Sequence, residues 1–390
     1  MHVVIAPDKF KGSLTAVQAA DAIASGVLSA SPTASVHALP VADGGEGTVE
    51  AVIAAGFTRC ELTVHGPTGT AVEAAYALRG GTAVIEMAEA SGLGRLPDAE
   101  PAPLTASTYG TGQLVAAALD AGASSIVLGI GGSATTDGGA GMAQALGARL
   151  LNGSGAELAP GGAALVDLDR IDVGGLDPRI AAAEVTVACD VDSPLVGPAG
   201  AAAVYGPQKG ASERDVAVLD AGLGRLAEVV RRDLGIDVAQ LPGAGAAGGL
   251  GAGAIAFLGA ELTSGIELLL GVVGFGEALL DADLVLTGEG SLDEQSLSGK
   301  APVGVARAAA PSKVPVLALC GRVTVTDSQL RDVGIDRALS LLDLQPDVER
   351  AHQDASMLLT RLAERAVRAF AAPPGDTDEP APAEGTTRTP

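Results

Sequence analysis

The sequence predicts an α/β protein in which a discontinuous, doubly wound domain of Rossmann or flavodoxin type is interrupted by an inserted second α/β domain. Three observations predict it. Strand–helix alternation typical of parallel sheets occurs at both ends of the chain, a β-rich stretch without helices lies between them, and 390 residues exceed one ordinary core. We expect the Rossmann-like domain at residues 1–58 plus 281–371 and the inserted domain at 59–280.

Apolar periodicity and glycine or proline punctuation place the individual elements, although the high alanine and glycine content blurs their ends. Within residues 60–87, β-rich runs joined by short glycine-containing turns indicate an antiparallel meander. Strands are expected at 2–6, 35–39, 60–65, 70–78, 82–87, 125–130, 185–189, 283–287, 314–319 and 338–342, and helices at 15–30, 48–55, 107–120, 139–150, 212–234, 302–310 and 348–370.

Composition excludes several functional classes. A formal charge of −23 and only eight aromatic residues argue against nucleic acid as a partner, and no apolar run is long enough to span a membrane. The amino terminus lacks the features of a secretory signal, so we expect a cytoplasmic protein. Residues 372–390 are rich in proline, threonine and acids and are expected to form a disordered tail.

Only five lysines are present, and two of them lie in the segment APDKFKGS, between the first strand and its helix. Lys9 and Lys11 are therefore predicted at the carboxyl edge of the sheet, where open α/β folds bind ligands and where a helix start attracts anions. The next strand leads to ADGGEGT, in which Asp43 either caps the following helix or lies near Mg²⁺ or substrate hydroxyls.

The segment GIGGSATTDGG, residues 129–139, is predicted to form an anion cradle after a buried strand. Its glycines permit consecutive N–H groups to converge on one anion, assisted by hydroxyl groups. The cradle residues are Gly131, Gly132, Ser133 and Thr135.

The segment LVLTGEGSLDEQSLSGK, residues 284–300, brings carboxylates and a lysine to a loop after another strand. The combination suits metal and phosphate binding, although the glycine spacing is not that of a Walker A loop. Two further candidates are Asp190 in CDVDSPL, as general base, metal ligand or turn former, and Lys209 in GPQKGA. A GxGxxG pattern at 243–248 has no strand before it, which disfavours dinucleotide binding.

Taken in order, these segments resemble the glycerate kinase family. The matching stretches are APDKFKGSLTA, ADGGEGT, GIGGSATTDGG, CDVDSPL, GPQKGA, GAGAAGGLGAG and LTGEGSLDEQSLSGKAPVGVA, and the resemblance covers residues 1 to about 370. Lys9 stands where a serine is common, and Ser193 and Thr136 each stand where asparagine is common.

The resemblance implies an ATP- and Mg²⁺-dependent phosphotransferase that acts on an alcohol group, converting D-glycerate to 2- or 3-phosphoglycerate with release of ADP. We assign the proton-accepting role to Asp190, with Asp43 as second choice, and phosphate neutralisation to Lys9 or Lys11 together with Lys300. Nucleotide binding is assigned to the cradle residues with Gly288, Glu289 and Lys209. Glu289 and Asp293 are the expected protein ligands of Mg²⁺. Lys209 or Arg322 is expected to bind the carboxylate of glycerate.

Other functions stay open at this point: a kinase for another small hydroxy acid, a nicotinamide-dependent oxidoreductase, or a non-catalytic anion-binding module. The partners expected are glycerate and ATP, with no nucleic acid and no membrane. The chain is expected to be a monomer or a homodimer.

Overall fold

A computed structural model describes residues 1–372. The predicted tail lies outside the described residues except for Ala372.

Fifteen strands and fourteen α-helices form within residues 1–372. The strands are β1 His2–Pro7, β2 Ser35–Ala38, β3 Thr58–His65, β4 Ala71–Arg79, β5 Thr82–Glu86, β6 Ser125–Gly129, β7 Arg149–Asn152, β8 Leu168–Asp172, β9 Glu184–Ala188, β10 Glu261–Thr263, β11 Leu284–Gly288, β12 Ser291–Leu292, β13 Val316–Cys320, β14 Arg322–Val323 and β15 Arg337–Ser340. The helices are α1 Ala16–Ala30, α2 Thr48–Ala54, α3 Ala88–Ser91, α4 Tyr109–Asp120, α5 Ala140–Ala145, α6 Ala201–Tyr205, α7 Glu213–Leu234, α8 Ala246–Leu258, α9 Gly265–Val272, α10 Phe275–Ala278, α11 Ala301–Ala309, α12 Asp327–Asp332, α13 Val348–Gln353 and α14 Ala355–Ala371.

The first sheet has five strands in the order β15-β13-β11-β1-β2, and every neighbouring pair is parallel. Its central strands are buried on both faces. In β1, Val3 and Ile5 pack against α1 and α14, while Val4 and Ala6 face the opposite core. This burial explains why β1 reads as a continuous apolar run without alternation.

The second sheet has six strands in the order β10-β9-β6-β5-β4-β3. Strands β3, β4 and β5 are antiparallel, which confirms the predicted meander, and β5, β6, β9 and β10 are parallel. The α/β class is therefore confirmed, with one parallel and one mixed sheet. The division into domains at residues 58 and 281 stays our prediction.

One hydrophobic core is shared by the two sheets. It joins Val4 and Val285 of the first sheet with Val84 and Val127 of the second, through apolar side chains of α2, α9, α10 and α11. The outer face of the second sheet packs on α4, α5 and α8. A fourth core forms where α7 covers the hairpin of β7 and β8. Each sheet also has a core of its own on its outer face, in addition to the shared core.

Two predicted helices are shorter than expected. The helix predicted at 139–150 ends at Ala145, because Gly147 takes a left-handed φ of +100° and residues 149–152 turn into β7. The helix predicted at 348–370 is broken at Asp354 into α13 and α14. In residues 1–372, no helix combines the length and the apolar character that crossing a membrane requires.

Candidate active site

A cleft of about 390 Å³ lies at the carboxyl ends of β6 and β9, where the loop after β2 reaches the second sheet. Its lining brings together six of the residues predicted from separate motifs: Asp43, Gly131, Gly132, Ser133, Asp190 and Lys209. Apolar groups complete the wall, among them Leu93, Ile130, Val191 and Ala247.

Glycine residues of the loop 43–47 allow its backbone to lie very close to the second sheet. The Gly131 N–H donates to the Gly44 carbonyl at 3.2 Å, and a Cβ at Gly44 would lie 2.5 Å from the Ala188 Cβ. Gly44 also has a φ of +86°, which side-chain-bearing residues rarely adopt. The glycines of this motif are therefore required for the close approach that places Asp43 in the cleft.

Two charged side chains hold the same loop from opposite sides. Lys9, which follows β1, donates from Nζ to the Glu46 carbonyl at 2.6 Å. Glu86, at the end of β5, accepts the N–H groups of Gly47 and Val49 at 3.1 and 3.3 Å. Glu86 is buried, and this burial raises the pKa of its carboxyl to about 7. The Lys9 amine is thus engaged with the loop, and Glu86 supplies the cap that the start of α2 lacks.

The glycine loop 131–139 is shaped by a fully buried carboxylate. Asp137 accepts the Thr108 N–H at 2.8 Å and the N–H groups of Gly139 and Gly141 at 3.1 and 3.2 Å. Burial raises the pKa of Asp137, and these amides oppose the rise. Asp137 therefore fixes the loop from inside.

Lys209 holds the cradle segment of that loop. Its Nζ donates to the Ser133 hydroxyl at 2.8 Å and to the Thr135 carbonyl at 2.5 Å. The Thr135 side chain is fully buried, and its hydroxyl has no hydrogen-bond partner among residues 1–372. Thr135 thus binds Lys209 through its carbonyl. Its hydroxyl, which we predicted to help bind an anion, is instead buried in the interior.

Asp190 follows β9 and reaches the same cleft as Asp43. Its Oδ1 accepts the Gly265 N–H at 3.0 Å at the start of α9. The surrounding cleft withdraws water and so raises the pKa of Asp190; the Gly265 amide opposes that rise, and the negative charge of Asp43 adds to it. A carboxylate made more basic in this way suits proton acceptance.

A second group of carboxylates gathers at the ends of β1 and β11. Asp8 and Glu289 are both buried, and burial together with the negative charge of Asp43 raises the pKa of each, that of Asp8 to about 7. The Lys300 ammonium, just before α11, opposes the rise at Glu289. Gly288 accepts the Asp8 N–H at 2.8 Å and so ties the two loops together. Asp43 thus borders both this group and the cleft.

The remaining predicted residues lie around this group. Asp293 uses its Oδ1 to accept the N–H groups of Gln295 and Ser296 at 3.0 and 3.2 Å, so its carboxylate closes a turn. Lys11 is exposed, with its backbone N–H against Gly290. Among residues 1–372, no three His, Cys, Asp or Glu side chains converge as a ready metal centre.

Sequence reasoning missed Asp8, Glu86 and Asp137, as well as the contact between the hydroxyls of Ser193 and Tyr205 at 3.0 Å. Asp8 lies in the segment APDKFKGS and Asp137 in GIGGSATTDGG. An acidic residue among apolar residues and glycines could have indicated a buried carboxylate at each position. Glu86 had one weaker signal, an acid that ends an otherwise apolar strand.

Comparison with known proteins gives a consistent result. The sequence model described as the glycerate kinase family matches residues 3–371. The glycerate kinase of Halalkalibacterium halodurans is 51% identical, over 93% of this chain and 96% of that protein. The glycerate 2-kinase of Escherichia coli K12 is 48% identical, over 91% of this chain and 94% of that protein.

A solved structure agrees with these relatives. The crystal structure of a protein from Salmonella typhimurium LT2, assigned as glycerate kinase 2, superposes with a TM-score of 0.84 at 44% identity and covers 95% of this chain and 98% of that one. Family model, sequence relatives and structure all extend over nearly the whole chain. The chain therefore belongs to the glycerate kinase family and is, as a member of it, a phosphotransferase.

Proposed function

We propose that the protein transfers the γ-phosphoryl group of ATP to a hydroxyl group of D-glycerate and releases ADP. The observation that carries this proposal is the pairing of Asp190 with the glycine loop 131–133 across one cleft, in a chain of this family. The cleft offers a carboxylate for an alcohol proton and backbone amides for phosphate oxygens, as phosphoryl transfer to an alcohol requires.

In the proposed step, the glycerate hydroxyl oxygen bonds to the γ-phosphorus while the bond from that phosphorus to the β–γ bridging oxygen breaks. The hydroxyl proton passes to Asp190, and ADP leaves with the bond's electron pair. Asp190 is suited to this role because its carboxylate faces the cleft with one oxygen fixed by Gly265. Asp43, which lines the same cleft, is the second choice.

Binding roles follow from position. The Gly132 amide and the Ser133 hydroxyl border the cleft, so we assign them to phosphate oxygens, whereas the Gly131 amide already donates to the Gly44 carbonyl at 3.2 Å. Lys9 and Lys11 follow β1, and Lys300 precedes α11 near Glu289, so we assign these lysines to charge neutralisation on the nucleotide side, next to Gly288. Asp137 and Glu86 position the two loops without touching the ligands.

Glu289 fits a divalent cation better than Asp293 does. Its Oε1 is buried and has no hydrogen-bond partner among residues 1–372, and the neighbouring carboxylates raise its pKa. Mg²⁺ prefers such oxygen ligands and keeps waters and substrate phosphates as the others, so one or two carboxylates suffice. When bound with ATP, the ion would neutralise charge on the phosphates. We therefore propose Glu289 as the principal protein ligand.

We further propose that the C2 hydroxyl is the acceptor, with 2-phosphoglycerate as product and 3-phosphoglycerate as the alternative. The support is that the Escherichia coli relative at 48% identity is named a glycerate 2-kinase.

Acceptor analogues test the proposal. D-lactate retains only the C2 hydroxyl, and 3-hydroxypropionate only the C3 hydroxyl. We expect ADP release from Mg-ATP to depend on D-glycerate, and D-lactate to support more release than 3-hydroxypropionate. ADP release that is equal with and without any acceptor would refute the kinase function, and the reverse order of the two analogues would refute the C2 assignment alone.

A further inference from the structure

Lys209 is a lysine whose amine is removed from solvent, and it differs in this from an ordinary ligand-binding lysine. Its side chain is only 2% exposed, yet the residue lines the cleft. Both partners of its Nζ are uncharged oxygen atoms, the Ser133 hydroxyl and the Thr135 carbonyl. A buried charge normally requires a direct partner of opposite sign.

The number of hydrogens on the amine is informative. A neutral amine has two N–H groups, which match the two observed acceptors. The ammonium form has a third N–H, and among residues 1–372 no third acceptor lies within hydrogen-bond distance. The two observed acceptors thus pair both N–H groups of the neutral amine and leave one N–H of the ammonium form without a protein acceptor among residues 1–372.

Charged and titratable groups around Lys209 are few. Asp137 acts on it from the glycine loop but is itself engaged by backbone amides. At the nearby start of α7, Asp215 is engaged by Ser212. The cleft lining adds Asp43, Cys189, Asp190 and Tyr205.

Burial lowers the pKa of Lys209 to about 7, against the smaller opposing effect of Asp137. An anion in the cleft would supply both a third acceptor and a negative charge, and each favours the ammonium form.

We propose that Lys209 takes up a proton when an anion enters the cleft, so that ligand binding and protonation of this positioning residue are coupled. The inference rests on the proposed function for the identity of the anions, D-glycerate and Mg-ATP. It also explains how a protein of net charge −23 holds an anion next to several carboxylates. Above pH 7, most of this positive charge is formed when the ligand arrives.

Calorimetric titration tests the coupling. D-glycerate and, separately, Mg-ATP are titrated into the protein at pH 8 in buffers of different ionisation enthalpy, which yields the protons taken up per ligand. We expect uptake approaching one proton for at least one ligand at pH 8, and much less at pH 6, where the lysine is already charged. The carboxyl groups of Asp8 and Glu86 also have pKa values of about 7. Variants of Lys209 are therefore needed to show which residue takes up the proton.

Lys209→Met should lose most of the uptake, and the matched control Lys313→Met, at an exposed lysine, should retain it. If Lys209→Met does not fold, Lys209→Arg serves, because arginine stays charged and should bind without uptake. Native binding without uptake, or equal uptake in the Lys209 variant, would overturn the proposal. Proton uptake without phosphoryl transfer would refute the kinase function and leave the coupling intact. If neither D-glycerate nor Mg-ATP binds, the kinase function and the coupling are both refuted.

Discussion

At the scale of single residues, environment divides the acids of the site into different tasks. Asp137 and Glu86 are both buried and bound by backbone amides, so they shape loops. Asp190 keeps one amide contact and faces the cleft, so it is free to accept a proton. The same residue types therefore differ in function through the number of N–H groups they accept.

Replacement of Asp190 by Asn tests the proton-accepting role. Because Asn keeps an oxygen for the Gly265 N–H but cannot take the hydroxyl proton, kcat should fall by about 10²- to 10⁴-fold. The dissociation constant of Mg-ATP should stay within about threefold, and Asp192→Asn, at an exposed neighbour, should behave as the native protein. Unchanged kcat in the Asp190 variant would transfer the role to Asp43.

Asp8 should make stability depend on pH in an unusual direction. Its pKa is raised from 3.8 to about 7 by burial, so between these values the native state holds a proton that the unfolded state has lost. The free energy of unfolding should therefore decrease as pH rises from about 4 to 7, by a few kcal/mol at most from this group. Urea unfolding across this range should show a clearly weaker decrease in Asp8→Asn than in Asp192→Asn. An equal slope in both variants would contradict the raised pKa.

At the scale of elements, loop 43–47 and helix α2 connect the two sheets. Lys9 reaches the loop from the first sheet, and Glu86 reaches the start of α2 from the second. The helix has only seven residues and no side-chain cap of its own, so it depends on this distant carboxylate. Placement of Asp43 in the cleft therefore requires both sheets.

Removal of the Glu86 carboxylate tests this dependence. Glu86→Ala leaves the N–H groups of Gly47 and Val49 without their acceptor and should lower the free energy of unfolding by about 1–3 kcal/mol. Glu86→Gln retains an acceptor oxygen and should lose less than half as much, and Glu61→Gln, on an exposed residue of β3, should change nothing. Equal losses in Glu86→Ala and Glu86→Gln, measured by urea unfolding at pH 8, would show that the charge and not the acceptor matters.

The sequence predicted which loops line the candidate site more successfully than it predicted the contacts that hold those loops in place. The glycine loop and Asp190 follow the neighbouring parallel strands β6 and β9, whose carboxyl ends meet at one edge of the second sheet, so their convergence was predictable. The Asp43 loop follows β2 of the other sheet, so its position in the same cleft was not predictable on this ground. Asp137, Glu86 and Lys209 each bind a residue that is distant along the chain, at separations of 29, 39 and 76 residues. No local pattern encodes such separations. The break at Asp354 and the early end of α5 were missed because alanine-rich periodicity continues across both.

At the scale of the whole molecule, the shared core determines how the site is held. Side chains of both sheets meet in one apolar cluster through α2, α9, α10 and α11. The cleft lies at the edge of this cluster, where Gly265 at the start of α9 accommodates the Asp43 carbonyl and donates to Asp190. Cleft geometry and core packing are thus linked through the same helix.

Phosphorus NMR measures whether ATP phosphorylates D-glycerate in the presence of this protein. The purified protein is mixed with Mg-ATP and D-glycerate, and the γ-phosphate signal and the new phosphomonoester are followed together. We predict ADP and 2-phosphoglycerate in equal amounts, with no phosphomonoester in the Asp190→Asn sample over the same period. Intact ATP, or ADP accompanied only by inorganic phosphate, in a folded and Mg²⁺-supplied sample would contradict the account.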